Sequence, residues 1–592
     1  MSALLGVHRS ETGRCWRQRP GDDRTALALA QRLDIPDVVG RVLAARGVGP
    51  EGGEAFLNPR LRDALPDPHH LRDMARAAAR IAAAIQAGEK VVVFGDYDVD
   101  GATSSALLKR YFKAVGAEIG VYIPDRQAEG YGPNAPALLR LREEGAAVVV
   151  TVDCGVLAFE PLQVASEAGL EVIVVDHHQA EPRLPACFAV VNPNRLDDDS
   201  PHGGLAAVGV TFLLLVAINR ALREAGWFAD RRREPDLLQW LDLVALGTVC
   251  DVVPLTGLNR VLVAQGLKVM AQRGNPGLAA LCDVAGLNSR PGAYHLGFVL
   301  GPRVNAGGRI GKSDLGVRLL SSDDPAEAAA LAAELDQLNR ERQAIEAMMQ
   351  EEALLLAEQG GAGALPLVLV ASERWHEGVI GIVASRLKEQ YRRPAIVCAL
   401  RDGIAKGSGR SVPGIDLGAA VIAARQAGLL INGGGHAMAA GLTAPADGIA
   451  ALTAFIAERI GERVAALPEV PELTVDATIS VRAAGRELYD LLESAGPYGA
   501  GHPEPRFAIS SVDVVKADVV GHKHVRVIAS GGDGGRLKGI AFNAVDTPLG
   551  QTLLRAAGAR LHLAGHLRAD DWQGRRGVQL VIEDVARAGL SG

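Results

Sequence analysis

The sequence predicts an α/β protein: a parallel-sheet domain, a long connecting helix, a second α/β lobe and a small C-terminal β barrel. Three observations carry that prediction. Between residues 91 and 175, short apolar runs alternate with helical patterns, the rhythm of strands joined by crossover helices in a sheet covered on both faces. Residues from Pro325 to about Gln359 hold one uninterrupted helical pattern. Beyond Pro471, apolar and polar residues alternate in stretches broken by glycine and aspartate, the period of half-buried strands.

Residues 1–60 read as an N-terminal extension packed on the main domain, with a lone Trp16 and helical patterns at 24–33 and 38–46. Residues 61–322 form the sheet domain. An alanine-rich helix from Asp73 to Ala87 leads into the strand Val91 to Phe94. Next come a helix to Ala114, strands at 118–123, 147–152 and 172–175, and helices at 135–144 and 157–167. The apolar stretch Leu205 to Ile218 is too short to span a bilayer and reads as a core helix. Another, at 237–249, ends in Cys250 and Asp251. Residues 301–314, GPRVNAGGRIGKSD, read as a glycine-rich loop whose amides can approach a phosphate. The connector covers 323–360 and the second lobe 361–466, with strands at 367–370, 395–399 and 403–406 and helices at 379–391 and 417–424. A proline-flanked linker, Leu467 to Pro471, precedes the barrel at 472–592, whose expected strands are 511–515, 525–528, 536–542, 560–567 and 577–582.

Composition narrows the function classes. A chain of 592 residues with 48% hydrophobic content is long enough for three or four domains and is not a disordered one. A net charge of -7 gives no overall basic field, so any polyanion site is local. The six cysteines are scattered without a CxxC pair, which argues against zinc ribbons and disulfide frameworks and fits a reducing cytoplasm. The apolar run Ala3 to Val7 is too brief to suggest a signal peptide.

Chemistry concentrates after the first strand, in KVVVFGDYDVDGATSS (residues 90–105). Asp96, Asp98 and Asp100 lie two apart and converge at the strand's carboxyl end, and such crowded carboxylates call for a cation between them. Gly101 reads as a tight turn, and Thr103, Ser104 and Ser105 as caps for the helix that follows. Asp153 follows the third strand, Asp176, His177 and His178 the fourth, and Asp251 ends a helix. Singly these read as helix caps or solvated loop residues; recurrence at one end of successive strands favours a metal site. Carboxylate oxygen with imidazole nitrogen suits Mn²⁺, then Mg²⁺ or Zn²⁺, and five or more such ligands can hold two cations bridged by one carboxylate, an arrangement for phosphoryl transfer.

GDYDVDG, VDCG, VVDHH and GTVCDVVPL match, in order and spacing, the four acidic motifs of the DHH phosphoesterase superfamily. The match continues through IPDRQAEGYG, GPRVNAGGRIG, WHEGVIGIVASRL, GSGRS and GGGHAMAAG, over nearly everything from about residue 55 onward. Within that superfamily the chain resembles the exonucleases that degrade single-stranded DNA 5′→3′ to 5′-mononucleotides in repair and recombination. The resemblance implies two divalent cations, Mn²⁺ before Mg²⁺, held by Asp98, Asp100, Asp153, His177 and Asp251, with Asp153 as bridge and Asp96 as a further candidate. It gives His178 a contact to the scissile phosphate or a supporting place. A DHHA1-like second lobe clasps the nucleotide: Ser408 and Arg410 with Arg126 hold the 5′ phosphate, Arg303 and His436 the scissile end, and Asn305 and Arg309 belong to the same substrate side. Arg374, Arg386, Lys388, Arg392, Arg393, Arg401 and Lys406 add a basic wall. The barrel is OB-like, with His522, Lys523, His524, Arg526 and Lys538 along a backbone path and few aromatic residues, Phe542 and Trp572.

Two positions depart from the superfamily pattern. Phe94 stands where several members have a metal-binding histidine, and His502 stands where an asparagine is usual. Single-stranded DNA is the implied partner, with a helicase and a single-strand-binding protein beside it. The alternatives are a phosphodiesterase for oligoribonucleotides or cyclic dinucleotides, whose members generally lack the connector and barrel, and a non-catalytic DNA-binding subunit, whose relatives have lost ligands kept here.

Overall fold

A computed structural model of the chain describes residues 2–126, 128–229, 232–556, 558–570 and 576–588; Trp572 lies outside them. Five parallel strands lie in the order Ile119–Tyr122, Val91–Gly95, Val148–Val152, Glu171–Val175, Ala189–Val191. Valine runs such as Val91 to Val93 and Val148 to Val150 are buried on both faces, as a parallel sheet under helices requires. From the first strand the chain steps outward to Ile119–Tyr122, then crosses back to Val148–Val152. Strand order reverses there, and a crevice opens at the carboxyl ends on either side of the reversal.

The register sets what enters that crevice. Gly95 is level with Val152, and Val152 with Val175. Asp96, Asp153 and Asp176, each one residue further on, therefore leave the sheet side by side. The helices Ala207–Glu224 and Leu241–Cys250 pack beneath the first helix, Val99–Ala114.

The GPRVNAGGRIG segment is not a loop. It forms the helix Gly301–Ile310, entered through a π-helical turn at Leu296–Leu300, so its amides serve the helix. Its glycines permit close packing instead: a Cβ on Gly308 would lie 2.7 Å from the Tyr97 carbonyl, and one on Gly301 2.3 Å from Cys250 Sγ. The connecting helix runs Pro325–Gln359, capped by Asp324. In the second lobe, Val368–Ser372 pairs in parallel with Ala395–Arg401, which continues antiparallel through Ile404–Arg410 to Ala439–Pro445 and Asn432–His436. GGGHAMAAG is thus a tight hairpin.

Phe507–Val520, His524–Ser530, Arg536–Ala541, Gly577–Arg587 and Arg560–Asp570 form the barrel, which closes where Phe507–Val520 pairs with Arg560–Asp570. The N-terminal residues pack largely here, while Phe56 and Pro59 also meet the sheet domain, Arg260 lying 3.7 Å over the Phe56 ring and Gln265 Nε2 donating to Pro59 O at 2.5 Å. Cys15–Gln18 pairs with Glu472–Val475, and Leu29, Val39, Val42 and Leu43 enter the barrel's apolar core. Polarity explains the choice: the buried Asp584 carboxylate takes hydrogen bonds from Trp16 Nε1–H at 2.9 Å and the Ser10 hydroxyl at 2.6 Å, which a period-based reading cannot anticipate.

Candidate metal centre

The first aspartates divide their work. Asp98 is the N-cap of Val99–Ala114, its Oδ1 accepting from Asp100 N–H at 2.9 Å and Gly101 N–H at 3.1 Å, which leaves Oδ2 outside the cap. Thr103 to Ser105 therefore lie inside the helix, and Gly101 is helical: its missing Cβ makes room for Asp96 O, which would otherwise sit 2.5 Å away. The early start follows from the better cap, a carboxylate in extended conformation. Asp100 turns to a second helix end, accepting from Ala207 N–H at 2.7 Å and Val208 N–H at 2.9 Å.

Asp153 occupies a left-handed conformation, φ 62°, in the turn after its strand, and its carbonyl accepts from Tyr131 OH at 2.9 Å. Asp251 caps the carboxyl end of Leu241–Cys250. His177 Nε2 is 3.3 Å from Asp153 Oδ1, 3.6 Å from Asp251 Oδ2 and 4.0 Å from Asp100 Oδ2. Ligand atoms fall into overlapping groups, each within 4.8 Å: Asp96 with Asp98 and Asp153; Asp100 with His177 and Asp251; Asp153 with His177 and His178. Asp153 thus joins the strand-end aspartates to the histidines.

Electrostatics states the same need. Burial, then the charge of Asp98, raises the pKa of Asp96 well above the usual carboxylate value. Asp153 is raised likewise by burial and by Asp98 and Asp100. Asp100 is pushed to about 7 and Asp251 to about 9 by burial and by neighbouring carboxylates. Burial, then His178, lowers His177 to about 4, so its imidazole is a neutral donor. Asp96 Oδ1, Asp251 Oδ2 and His177 Nε2 are buried without a hydrogen-bond partner among the described residues. Oxygen and imidazole donors, crowded, dry and unsatisfied, fit divalent cations of the Mn²⁺ and Mg²⁺ class. Phe94 supplies no ligand; it is fully buried against Tyr122, ring centroids 5.1 Å apart.

Sequence reasoning passed over Asp176. Its carboxylate accepts from the backbone N–H groups of Val156, His177 and His178 at 3.0, 2.7 and 3.1 Å, and lies 2.7 Å from His178 Nδ1. Burial opposes its charge, yet the His178 hydrogen bond draws its pKa down to about 2. Burial likewise opposes a charged His178, and Asp176 overcomes it, raising the imidazole to about 9. Adjacent histidines therefore differ in charge, one a neutral ligand candidate and the other a fixed cation. The signal was the aspartate opening the DHH triplet, read as one strand-end acid among several.

The substrate-side residues separate. Arg309, on the Gly301–Ile310 helix, donates to Gly378 O at 2.9 Å; burial, then Arg126, Arg342 and Arg410, lowers its pKa to about 10. Arg126 stands 5.0 Å over the Tyr97 ring. Arg410 donates to Ser408 Oγ at 3.1 Å, and Gly381 leaves room for both, since its Cβ would lie 2.9 Å from each. Four guanidinium groups from two lobes and the connector are thus close enough to repel, beside the aspartates. Asn305 lines a cleft of about 430 Å³ with Arg309 and Arg342. Arg303, in contrast, is bonded to Asp336 at 2.9 Å and to Val299 O at 2.6 Å, fastening its helix to the connector. His436 is exposed in the hairpin, its Nδ1 accepting from Met438 N–H at 3.3 Å. Of the basic wall, Arg374, Arg386 and Lys406 are paired with Glu352, Glu346 and Glu377. On the barrel, Arg526 is paired with Asp518 and Lys538 with Asp570, while Lys523 is exposed. His502 is buried, its Nε2 2.9 Å from Ala495 O.

The chain's other end braces Asp251. Val252 follows it at φ 63°, and Leu255 N–H donates to Ala500 O at 2.8 Å. A Cβ on Gly501 would lie 2.8 Å from Pro254, and Arg260 donates to Gly496 O at 2.6 Å.

Residues 90–248 match the DHH family N-terminal domain, 365–462 the DHHA1 domain and 475–584 the RecJ OB domain. The single-stranded-DNA-specific exonuclease RecJ of Dickeya dadantii is 39% identical over 562 residues, 93% of this chain and 96% of that one. The Escherichia coli protein of the same name is 38% identical, with the same coverage. The crystal structure of RecJ in complex with Mn²⁺ from Thermus thermophilus superposes with a TM-score of 0.79 at 30% identity, covering 96% of this chain and 79% of that one. By sequence along nearly its whole length and by fold, the chain belongs to the RecJ family of single-stranded-DNA-specific exonucleases.

Proposed function

We propose that the protein hydrolyses single-stranded DNA from the 5′ end, releasing 5′-mononucleotides, with two divalent cations, Mn²⁺ before Mg²⁺. One observation carries the reading: buried, partnerless acidic and imidazole atoms in overlapping groups face an arginine cluster built from both lobes. Bound between Asp96, Asp98, Asp100, Asp153, His177 and Asp251, the cations supply Lewis acidity, acidifying water and neutralising phosphoryl charge. His178, held cationic by Asp176, stabilises charge on the phosphate under attack. Arg126 and Arg410 with Ser408 hold the terminal phosphate, and Arg309, already short of counter-charge, gains from any phosphate beside it. Anchoring an end phosphate beside the carboxylate cluster would set polarity and product length. Lys523, Arg526 and Lys538 on the barrel serve the strand further out through their charge.

Repair and recombination in the cytoplasm suit such an activity, with a helicase to expose the strand and a single-strand-binding protein to keep it open. Six free cysteines agree with a reducing compartment. The test is a time course on 5′- and 3′-labelled strands with Mn²⁺, Mg²⁺ or chelator. Mononucleotides should appear first from the 5′ end, and Asp153→Ala should abolish them while strand binding persists. Arg410→Ala should slow 5′-phosphorylated strands more than 5′-hydroxyl ones. Unchanged turnover in Asp153→Ala rules the site out, and equal loss on both ends removes the phosphate role of Arg410.

A further inference from the structure

We propose that Tyr294 and Phe298 form a stacking platform for the bases of the strand, a binding subsite that makes the centre selective for unpaired DNA; this rests on the exonuclease reading above. Phe298 is 73% exposed, more than any other large apolar side chain among the described residues, and Tyr294 is 57% exposed. Their rings stack on each other, centroids 5.2 Å apart and 25° between planes. Two large rings stacked on each other and both exposed form a patch of the kind that marks an interaction site.

The backbone beneath them is fixed to the metal centre. Phe298 lies within the π-helical turn Leu296–Leu300 and Tyr294 two residues before it, and such a departure from regular helix gathers at functional sites. Cys250 Sγ lies 3.4 Å from Leu296 O, and Cys250 immediately precedes Asp251. A Cβ on Gly297 would touch Val249 at 3.4 Å, so the turn lies directly on the helix that ends in that ligand candidate.

Charge continues the path on both sides. Phe298 lines the cleft of about 430 Å³ with Arg309, Arg342 and Arg386. The acid there, Glu346, is bonded to Arg342 at 2.6 Å and to Arg386 at 3.4 Å, so the cleft stays net positive. On the far side, Arg568 of the barrel, 3.7 Å from Glu504, lies 5.7 Å over the Tyr294 ring. From barrel to metal centre the order is cation, two exposed rings, then a basic cleft, which suits a flexible strand that gives phosphates to guanidinium groups and base faces to rings. Bases in a duplex already stack on their neighbours and have no free face to offer. Sequence placed few aromatic residues on the barrel, and the platform puts the stacking surface on the catalytic domain.

The test uses the full-length protein with Tyr294→Ala, Phe298→Ala, the double variant and Phe298→Trp. Binding of a 3′-fluorescent oligothymidylate in EDTA should weaken about tenfold per ring removed. An abasic strand of equal length should bind all variants as it binds the wild type, and Phe298→Trp should retain affinity for the oligothymidylate. Unchanged oligothymidylate affinity, or equal loss on the abasic strand, overturns the platform. A wild-type protein that neither binds nor cuts the oligothymidylate overturns instead the exonuclease reading, and the platform with it.

Discussion

Consider stripping divalent ions from the protein with EDTA at pH 5 and again at pH 8, and following thermal unfolding. Without an ion, the folded-state pKa of Asp100 is about 7 against 3.8 for the free side chain, through burial and the charge of Asp98. An acid with a raised folded pKa binds its proton more tightly when folded. Stability is therefore lost as pH rises from the unfolded value to about 7, and the loss stays constant above it. At 1.36 kcal/mol per pH unit the full penalty is about 4 kcal/mol, of which only about 1.6 has developed at pH 5. Asp96, Asp153 and Asp251 act in the same direction. A bound cation removes the penalty by taking the proton's place. With roughly 2–4 °C per kcal/mol for a domain of this size, Mn²⁺ should raise the catalytic domain's Tm by about 5–10 °C more at pH 8 than at pH 5. Differential scanning calorimetry with Mn²⁺ or EDTA across that range measures the gap, and Asp100→Asn should flatten it. A gap independent of pH, or wider at pH 5, would refute the account of the buried carboxylates.

Replacing Asp176 with Asn should return His178 from about 9 toward 6.5, so the imidazolium is lost as pH rises through about 6.5 instead of about 9, an NMR titration supplying the check and activity above neutrality falling with it. Trp16→Ala removes a fully buried ring and leaves Asp584 short of a donor; the barrel should lose about 3–5 kcal/mol and be cut earlier by protease, while calorimetric Mn²⁺ binding stays unchanged. Gly501→Val forces a side chain into Pro254 at a left-handed φ of 66°, which should displace the Asp251 loop and weaken Mn²⁺ binding by isothermal titration; unaltered affinity with an intact barrel would sink the bracing role of that segment.

Much of the metal domain was legible because its signals are local. Valine runs ending in Gly-Asp, Val-Asp and Val-Asp specify strand, strand end and acid within a few residues, and flush pairing does the rest. Readings failed where a residue's meaning depended on what packs against it. Gly101, Gly301 and Gly308 read as turns or phosphate loops, yet each is helical and small because backbone or sulfur from another element lies within 2.7 Å of its missing Cβ. Arg303, expected on the substrate side, also gives its Nε–H to Asp336 on the connecting helix, a partner that its own segment does not reveal. Trp16 and Asp584 meet across 568 residues, and no window of sequence contains both. The hairpin at GGGHAMAAG escaped notice because glycine-rich strands lack the apolar alternation by which strands are recognised.

The places where local rules fail coincide. Asp153 and Val252 are both left-handed without being glycine, and Val252 is β-branched, for which that conformation is a genuine outlier costing on the order of 1–3 kcal/mol. Asp96, Asp251 and His177 bury polar atoms that no hydrogen bond among the described residues satisfies. Each alone would be a defect; together they surround one point at the sheet's switch, and surrounding structure over-determines them. The Ala500 carbonyl, Gly501 and the Gly496 carbonyl that accepts from Arg260 hold the Asp251 loop from the barrel side, while Val175 and Tyr131 hold the Asp153 turn from the sheet side. Strain and desolvation here are therefore stored by contacts from separate parts of the chain, and above the raised pKa values of the carboxylates a cation that attracts them together relaxes them. This is the physical sense in which barrel and sheet share one centre: the sheet aims Asp96, Asp98 and Asp153, and the segment entering the barrel keeps Asp251 turned to meet them.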